Sequence, residues 1–225
     1  MKQAASSTPE RIQAIIHLLR HATAGAPELA SAQLVKKYGQ DPYMILASCI
    51  LSLRTRDAVS LPASIRLFEL AQTPQAMLNV PLSTLEKAIY PVGFYRVKAQ
   101  SLHSISRDLL DRFDGRVPST LKELLSLKGV GLKTANLVLS EGFDIPAICV
   151  DTHVHRLSNL LGVVSTKTPV CTEHALRAII ARDDWREWSR LLVKWGQSGC
   201  KPMRARCPEC PSAQMCEWFN TIGCR

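Results

Sequence analysis

The chain predicts an all-α fold, and three observations carry that expectation. Apolar residues recur with helical period in segment after segment, N-cap signatures precede several of them, and no segment shows strand-like alternation. Residues 1–8 are polar and are expected to lack order. Thr8 followed by Pro9 has the form of an N-cap with proline at the first helical position, and Ile12, Ile15, Ile16, Leu18 and Leu19 then form a broad apolar face. From Tyr43 to Leu53 only Ser48 and Ser52 interrupt an apolar run, which predicts a buried central helix. Ile65, Phe68 and Leu70 mark another helix, and Ser83 to Glu86 has the spacing of a capping box for the next. After Gly93, residues Leu102, Ile105, Leu109, Leu110 and Phe113 keep helical period until Asp114-Gly115 and Pro118 break it. Thr120 to Glu123 caps a short helix, Gly129-Val130-Gly131 makes a hairpin, and a helix is expected from Leu132 to about Glu141. Further helices are expected near 152–161, 172–182 and 185–196. In the last, Trp185, Trp188 and Trp195 stand at helical spacing and read as core rather than as a base-stacking platform.

With 225 residues, 46% hydrophobic and 21% charged, the composition is that of a globular protein. No apolar run approaches the roughly 18 residues of a membrane span. A net charge of +9 and a pI near 9.3, spread along the chain, point to a folded face for a polyanionic partner. Lys2 opens a polar amino terminus with no apolar stretch of a signal peptide. Eight cysteines, with Cys49 and Cys149 in apolar surroundings and Cys171 and Cys224 isolated, fit a reducing, cytoplasmic setting.

Cys200, Cys207, Cys210 and Cys216 are spaced C-x6-C-x2-C-x5-C with no histidine among them, and read as one metal site. Soft thiolates suit zinc or an iron–sulfur cluster. A zinc ribbon usually offers two tight C-x2-C knuckles; here there is one, and the wider loops leave room for a cluster. Without a signal peptide, disulfides are the weaker reading. Lys201, Arg204 and Arg206 lie between the first two cysteines, where a tied loop would aim cations at phosphates; the plainer alternative is that they only solubilise the loop.

In Leu127-Lys128-Gly129-Val130-Gly131-Leu132-Lys133-Thr134, two glycines free backbone N–H groups at the start of a helix, a setting that favours a phosphate oxygen. Such a helix-hairpin-helix grips DNA backbone without reading sequence, although an ordinary turn between helices has the same pattern. Lys133 stands in the first turn of the new helix, where the dipole disfavours an ammonium and favours a nucleophilic amine. Eighteen residues on, Val150-Asp151-Thr152-His153 opens another helix. Asp151 reads first as its N-cap, a role compatible with chemistry because a capping carboxylate is rigidly held. His153 and His155 read as structural.

Taken together, L-K-G-V-G-L-K-T-A, V-D-T-H-V and C-x6-C-x2-C-x5-C resemble the endonuclease III family of helix-hairpin-helix DNA glycosylases, over about Pro42 to Cys216. The resemblance implies a six-helix barrel domain at 35–145 and a helical iron–sulfur domain from 1–34 and 146–225. It implies a [4Fe–4S] cluster on the four cysteines, Lys133 as nucleophile and Asp151 as its carboxylate partner. The implied activity is a bifunctional DNA glycosylase and abasic-site lyase that removes oxidised pyrimidines. Its implied partner is double-stranded DNA containing damaged bases or abasic sites, engaged by a monomer away from any membrane. Gly129, Val130, Gly131, Lys201, Arg204 and Arg206 would contact that DNA.

The chain departs from the family pattern in four places. Arg54 stands where the family usually has a glutamine that fills the hole left by the flipped base, and arginine cannot accept a hydrogen bond. Phe94 stands where a leucine wedge is common. Lys128 replaces a proline, and Leu132 a polar residue. These changes bear on lesion and opposite-base preference, so a different lesion or mismatch range is the same-class alternative. A non-catalytic, redox-sensing DNA-binding protein is the rival of another class, and the joint presence of Lys133 and Asp151 speaks against it.

Overall fold

The computed structural model describes residues 8–203 and 205–223. The disorder expected of residues 1–7, and the places of Arg204 and Cys224, lie outside the described residues. Among the described residues there are thirteen α-helices and no β-strand, only an isolated antiparallel bridge between Cys200 and Ala205. In chain order the helices are α1 (Pro9–Ala22), α2 (Ala30–Tyr38), α3 (Pro42–Ser52), α4 (Asp57–Leu70), α5 (Pro74–Asn79), α6 (Leu82–Ile89) and α7 (Tyr95–Phe113). They continue with α8 (Leu121–Leu125), α9 (Leu132–Leu137), α10 (Thr152–Leu160), α11 (Pro169–Ile179), α12 (Trp185–Ser198) and α13 (Glu217–Ile222). The chain divides into two compact units, Ala30–Ile145 and Met1–Leu29 with Pro146–Arg225.

In the unit Ala30–Ile145, α3 is the hub. Asp41 caps it by accepting from the Met44 amide at 2.8 Å, and every residue from Tyr43 to Leu51 is buried. Each such aliphatic side chain contributes about 1.5–3 kcal/mol by leaving water, so packing rather than helix propensity holds α3. Helices α4, α7 and α9 pack on it, and α5 and α6 pack on α7. The buried stripe of α7 is Leu102, Ile105 and Leu109, as its period predicts, and α7 stops where Asp114 turns left-handed at φ +52°. The expected capping box at Ser83 does not form. Pro81 takes the cap position one turn-start earlier, and its carbonyl accepts from Thr84 at 2.9 Å and Leu85 at 3.1 Å, with no side-chain cap.

In the other unit α1 begins as expected, with the Thr8 hydroxyl accepting from Arg11 at 3.3 Å and Pro9 following. Its Ile12, Ile15, Ile16 and Leu19 pack into one core with Val154, Leu157, Leu176, Trp188 and Leu192 from α10, α11 and α12. Trp188 is fully buried and Trp185 is buried with its Nε1 donating to the Ile180 carbonyl at 3.0 Å. Trp195 packs against the same core, so all three tryptophans are structural. Helix α11 starts earlier than its apolar pattern shows, because Thr168 caps it ahead of Pro169.

Candidate active-site and metal-binding residues

Thr120 opens the hairpin's first helix, accepting from the Glu123 amide at 3.3 Å while its hydroxyl meets the Glu123 carboxylate at 2.6 Å. Thr120 therefore caps α8 as the sequence predicts, and Glu123 returns to the Thr120 hydroxyl, which donates to its carboxylate. After α8 the chain turns through Val130, whose N–H donates to the Leu127 carbonyl at 3.1 Å. Gly129 lies at φ +86°, a conformation that L side chains resist, and no atom stands within 4 Å of where its Cβ would be. Gly131 also faces open space but at an ordinary φ of −97°, as the N-cap of α9. Val130 sits between the two glycines with its side chain turned inward. Its side chain is 6% exposed and its amide is already used, so it anchors the hairpin to the core and leaves the glycine backbone as the exposed surface.

Lys133 is exposed on the second position of α9, while Thr134, Ala135 and Asn136 beside it are buried. Burial pushes the Cys49 thiol of α3 up to about 12, the Lys133 charge opposes that rise, and the Glu141 carboxylate adds to it. Lys133 therefore stands within electrostatic reach of a buried thiol on the central helix. Beyond α9 the chain runs into a π-helical turn, Val138–Gly142, that is buried throughout.

Asp151 sits at the N-cap of α10, where its Oδ1 accepts from both His153 and Val154 amides at 2.8 Å. Two backbone donors on one oxygen fix the carboxylate and leave Oδ2 as the oxygen not used by the cap.

Arg54 and Phe94 are both exposed and both left-handed, at φ +52° and φ +58°. Arg54 lies in the connection between α3 and α4, and Phe94 is the cap residue of α7, 63% exposed. Beneath them sequence reasoning missed Lys98. It falls on the α7 stripe with Leu102, Ile105 and Leu109, and a lysine on a buried face is the signal that marks it.

The thiol loop begins as α12 ends. Cys200 pairs with Ala205, and the Arg206 amide donates to the Gly199 carbonyl at 3.3 Å, closing a tight reversal that leaves Lys201 and Arg206 exposed. Cys207 and Cys210 close the next turn through their backbones at 3.1 Å. No disulfide joins the seven described cysteines. Among the described residues no three His, Cys, Asp or Glu side chains gather tightly enough to hold a single ion. Burial pushes the thiols of Cys200 and Cys216 up, and Cys210 adds to the rise at both. Arg156 opposes it at Cys200 and Arg11 at Cys216. Arg156 Nη2 donates to the Cys200 carbonyl at 2.5 Å, and Arg11 Nη2 to the carbonyls of Leu161 and Met215 at 2.5 and 2.9 Å. The buried Arg156 Nε and Arg11 Nη1 have no hydrogen-bond partner among the described residues. The thiols of Cys200, Cys210 and Cys216, which feel one another, and the unsatisfied nitrogens of Arg156 and Arg11 beside Cys200 and Cys216 fit an anionic, sulfur-rich group, with Cys207 in the same loop as a further donor.

The helical units, the glycine hairpin with an exposed lysine behind it, and the four-thiol loop define a helix-hairpin-helix protein. The family described as HhH-GPD superfamily base excision DNA repair protein matches residues 47–182. Endonuclease III of Thermotoga maritima is 43% identical over 201 residues, 87% of this chain and 94% of its own, and endonuclease III of Bacillus subtilis is 36% identical over 78% and 81%. A solved structure of a non-covalent endonuclease III–DNA complex superposes with a TM-score of 0.84 at 32% identity, covering 95% of this chain and 97% of that one. The chain belongs to the HhH-GPD superfamily and, within it, to the endonuclease III family. It is a DNA glycosylase and abasic-site lyase of base excision repair.

Proposed function

We propose that this protein removes oxidised pyrimidines from duplex DNA and cuts the strand at the resulting site, with Lys133 as the nucleophile. The observation that carries the reading is an exposed lysine in the first turn of the helix that follows an open glycine hairpin. Gly129 and Gly131 offer backbone to a phosphate, so the damaged nucleotide is held by its sugar-phosphate while its base flips out. The Lys133 amine attacks C1′ as the C1′–N bond to the base breaks. Opening of the sugar ring gives a Schiff base, which acidifies the C2′ protons; loss of one expels the 3′ phosphate by β-elimination. Water then hydrolyses the Schiff base and frees the amine. Asp151, fixed by its cap bonds, stabilises positive charge developing on the sugar.

Cys200, Cys207, Cys210 and Cys216 hold a [4Fe–4S] cluster in this reading, with the donor set and the unsatisfied Arg11 and Arg156 nitrogens in its support. Bound there, the cluster ties the loop and so aims Lys201 and Arg206 at DNA phosphates. The unit Ala30–Ile145 serves as the barrel domain and the other as the cluster domain. The protein works as a cytoplasmic, nucleoid-associated monomer.

Borohydride trapping on a thymine glycol duplex and on an abasic duplex, with wild type and Lys133→Gln, tests the reading. A covalent adduct with wild type alone on both duplexes is expected. An adduct on abasic DNA alone moves the lesion range elsewhere, and an adduct with Lys133→Gln overturns the nucleophile.

A further inference from the structure

Outside the reacting residues the protein buries an ammonium, that of Lys98. Lys98 is 6% exposed, yet its Nζ donates to the Leu51 carbonyl at 2.8 Å, the Leu53 carbonyl at 2.5 Å and the Thr55 hydroxyl at 2.9 Å. An ammonium has three N–H donors, so these acceptors use it completely. Two of them belong to the last turn and the exit of α3, where carbonyls have no intrahelical partner and the helix dipole is negative. A cation placed there both caps α3 and holds the connection that follows.

That connection carries Arg54. The same lysine is one turn into α7, and its backbone N–H donates to the Phe94 carbonyl at 3.0 Å. Phe94 and Arg54 are both held in left-handed conformations that non-glycine residues rarely adopt, which persist only where surroundings over-determine them. Gly93 completes the junction. A Cβ there would stand 3.2 Å from the Arg54 carbonyl and 3.4 Å from the Thr55 hydroxyl, so the two segments meet backbone to backbone.

We propose that Lys98 is a positioning residue for lesion recognition, tying the Arg54 loop and the Phe94 turn into one rigid element that enters the DNA stack as a unit. The proposal rests on the glycosylase reading above and deepens it. Arg54 and Phe94 come from chain segments forty residues apart, and for one to fill the space a base leaves while the other holds the stack open, their spacing must not drift. Lys98 bonds to both segments and touches no substrate. The device is therefore specific to duplex DNA, because a single strand has no opposite base to meet and no stack to open.

The test compares wild type, Lys98→Met, Lys98→Arg and Thr55→Val. Each is assayed for kcat/KM on a thymine glycol duplex and on a single-stranded abasic oligonucleotide. A duplex carrying 2-aminopurine opposite a non-cleavable tetrahydrofuran abasic analogue reports intrusion into the stack by fluorescence, without chemistry. Lys98→Met is expected to lower the duplex-to-single-strand ratio by about 10- to 100-fold, the cost of a small misplacement remote from chemistry. It should also blunt the fluorescence rise. Thr55→Val, which removes one acceptor, should show a smaller loss, and Lys98→Arg a partial recovery. A parallel fall on both substrates, or an unchanged ratio and fluorescence, overturns the proposal. If wild type traps no adduct on abasic DNA, the lyase reading fails instead, and the fluorescence difference between wild type and Lys98→Met still decides the tether.

Discussion

Arg156 donates its Nη2 to the carbonyl of Cys200 at 2.5 Å, so the helix that Asp151 caps also grips the start of the thiol loop. The bond is charge-assisted and partly buried, and it joins residues 44 positions apart. Arg156→Ala is expected to cost about 1.5–3 kcal/mol of stability, the worth of a hydrogen bond to a charged group. Urea unfolding measures this, and iron content per chain should fall with it. Arg156→Lys should recover little, since an ammonium lacks the guanidinium's spread of donors.

In the proposed mechanism Asp151 adds a second, separable role to its cap. Asparagine caps as well as aspartate, so Asp151→Asn should leave stability within about 0.5 kcal/mol, whereas Asp151→Ala should lose about 1 kcal/mol. Base excision should fall in both, by about 100-fold or more, because both lose the charge. Thermal unfolding beside single-turnover excision separates the two. Equal activity in wild type and Asp151→Asn would remove the carboxylate from the mechanism.

Gly129 and Gly131 look alike in sequence and differ in the backbone. Gly129→Ala forces an alanine into φ +86°, an expected cost of about 1–2 kcal/mol with weaker DNA binding. Gly131→Ala meets open space at φ −97° and should leave stability unchanged. Thermal melts of the two variants decide it, and similar losses in both would mean the hairpin is not held as described.

Burial lowers the Lys98 pKa from 10.5 to about 8. In the unfolded chain the proton stays until about pH 10.5, so between about 8 and 10.5 the folded state has released it first. This group therefore makes folding more favourable as pH rises through that window, relative to a Lys98→Met variant. The neutral amine has only two donors for three acceptors, so the Arg54 loop loosens over the same window. The fluorescence response at the orphan base should decline above about pH 8 in wild type and show no such step in Lys98→Met.

Lys201 and Arg206 are exposed on the closed reversal between the first two thiols. If both meet phosphates, each alanine substitution should lower the slope of log affinity against log salt by about 1. Titrations at several salt concentrations read this, and an unchanged slope would return these cations to a solubilising role.

Much of the fold was legible in the chain itself, because the cues were local. The Thr8-Pro9 cap, the Thr120 cap, the α3 run and the α7 stripe each depend on residues within a turn or two. The Ser83 box failed for a local reason too, since Pro81 offered an earlier start. Lys133, the glycine hairpin and the four thiols were equally readable from residue type and spacing.

What the sequence by itself determined was the helical class, the chemical groups and their order. What only the tertiary structure decided was which of those groups are turned inward and what they hold. The Val130 side chain is buried, Lys98 is buried with its ammonium on the exit of α3, and Arg11 and Arg156 are partners of the thiol loop. The physical reason is one of range. Caps and turns are set by hydrogen bonds between near neighbours, but an ammonium reaching from position 98 to positions 51, 53 and 55 is stable only after both segments have packed and excluded water.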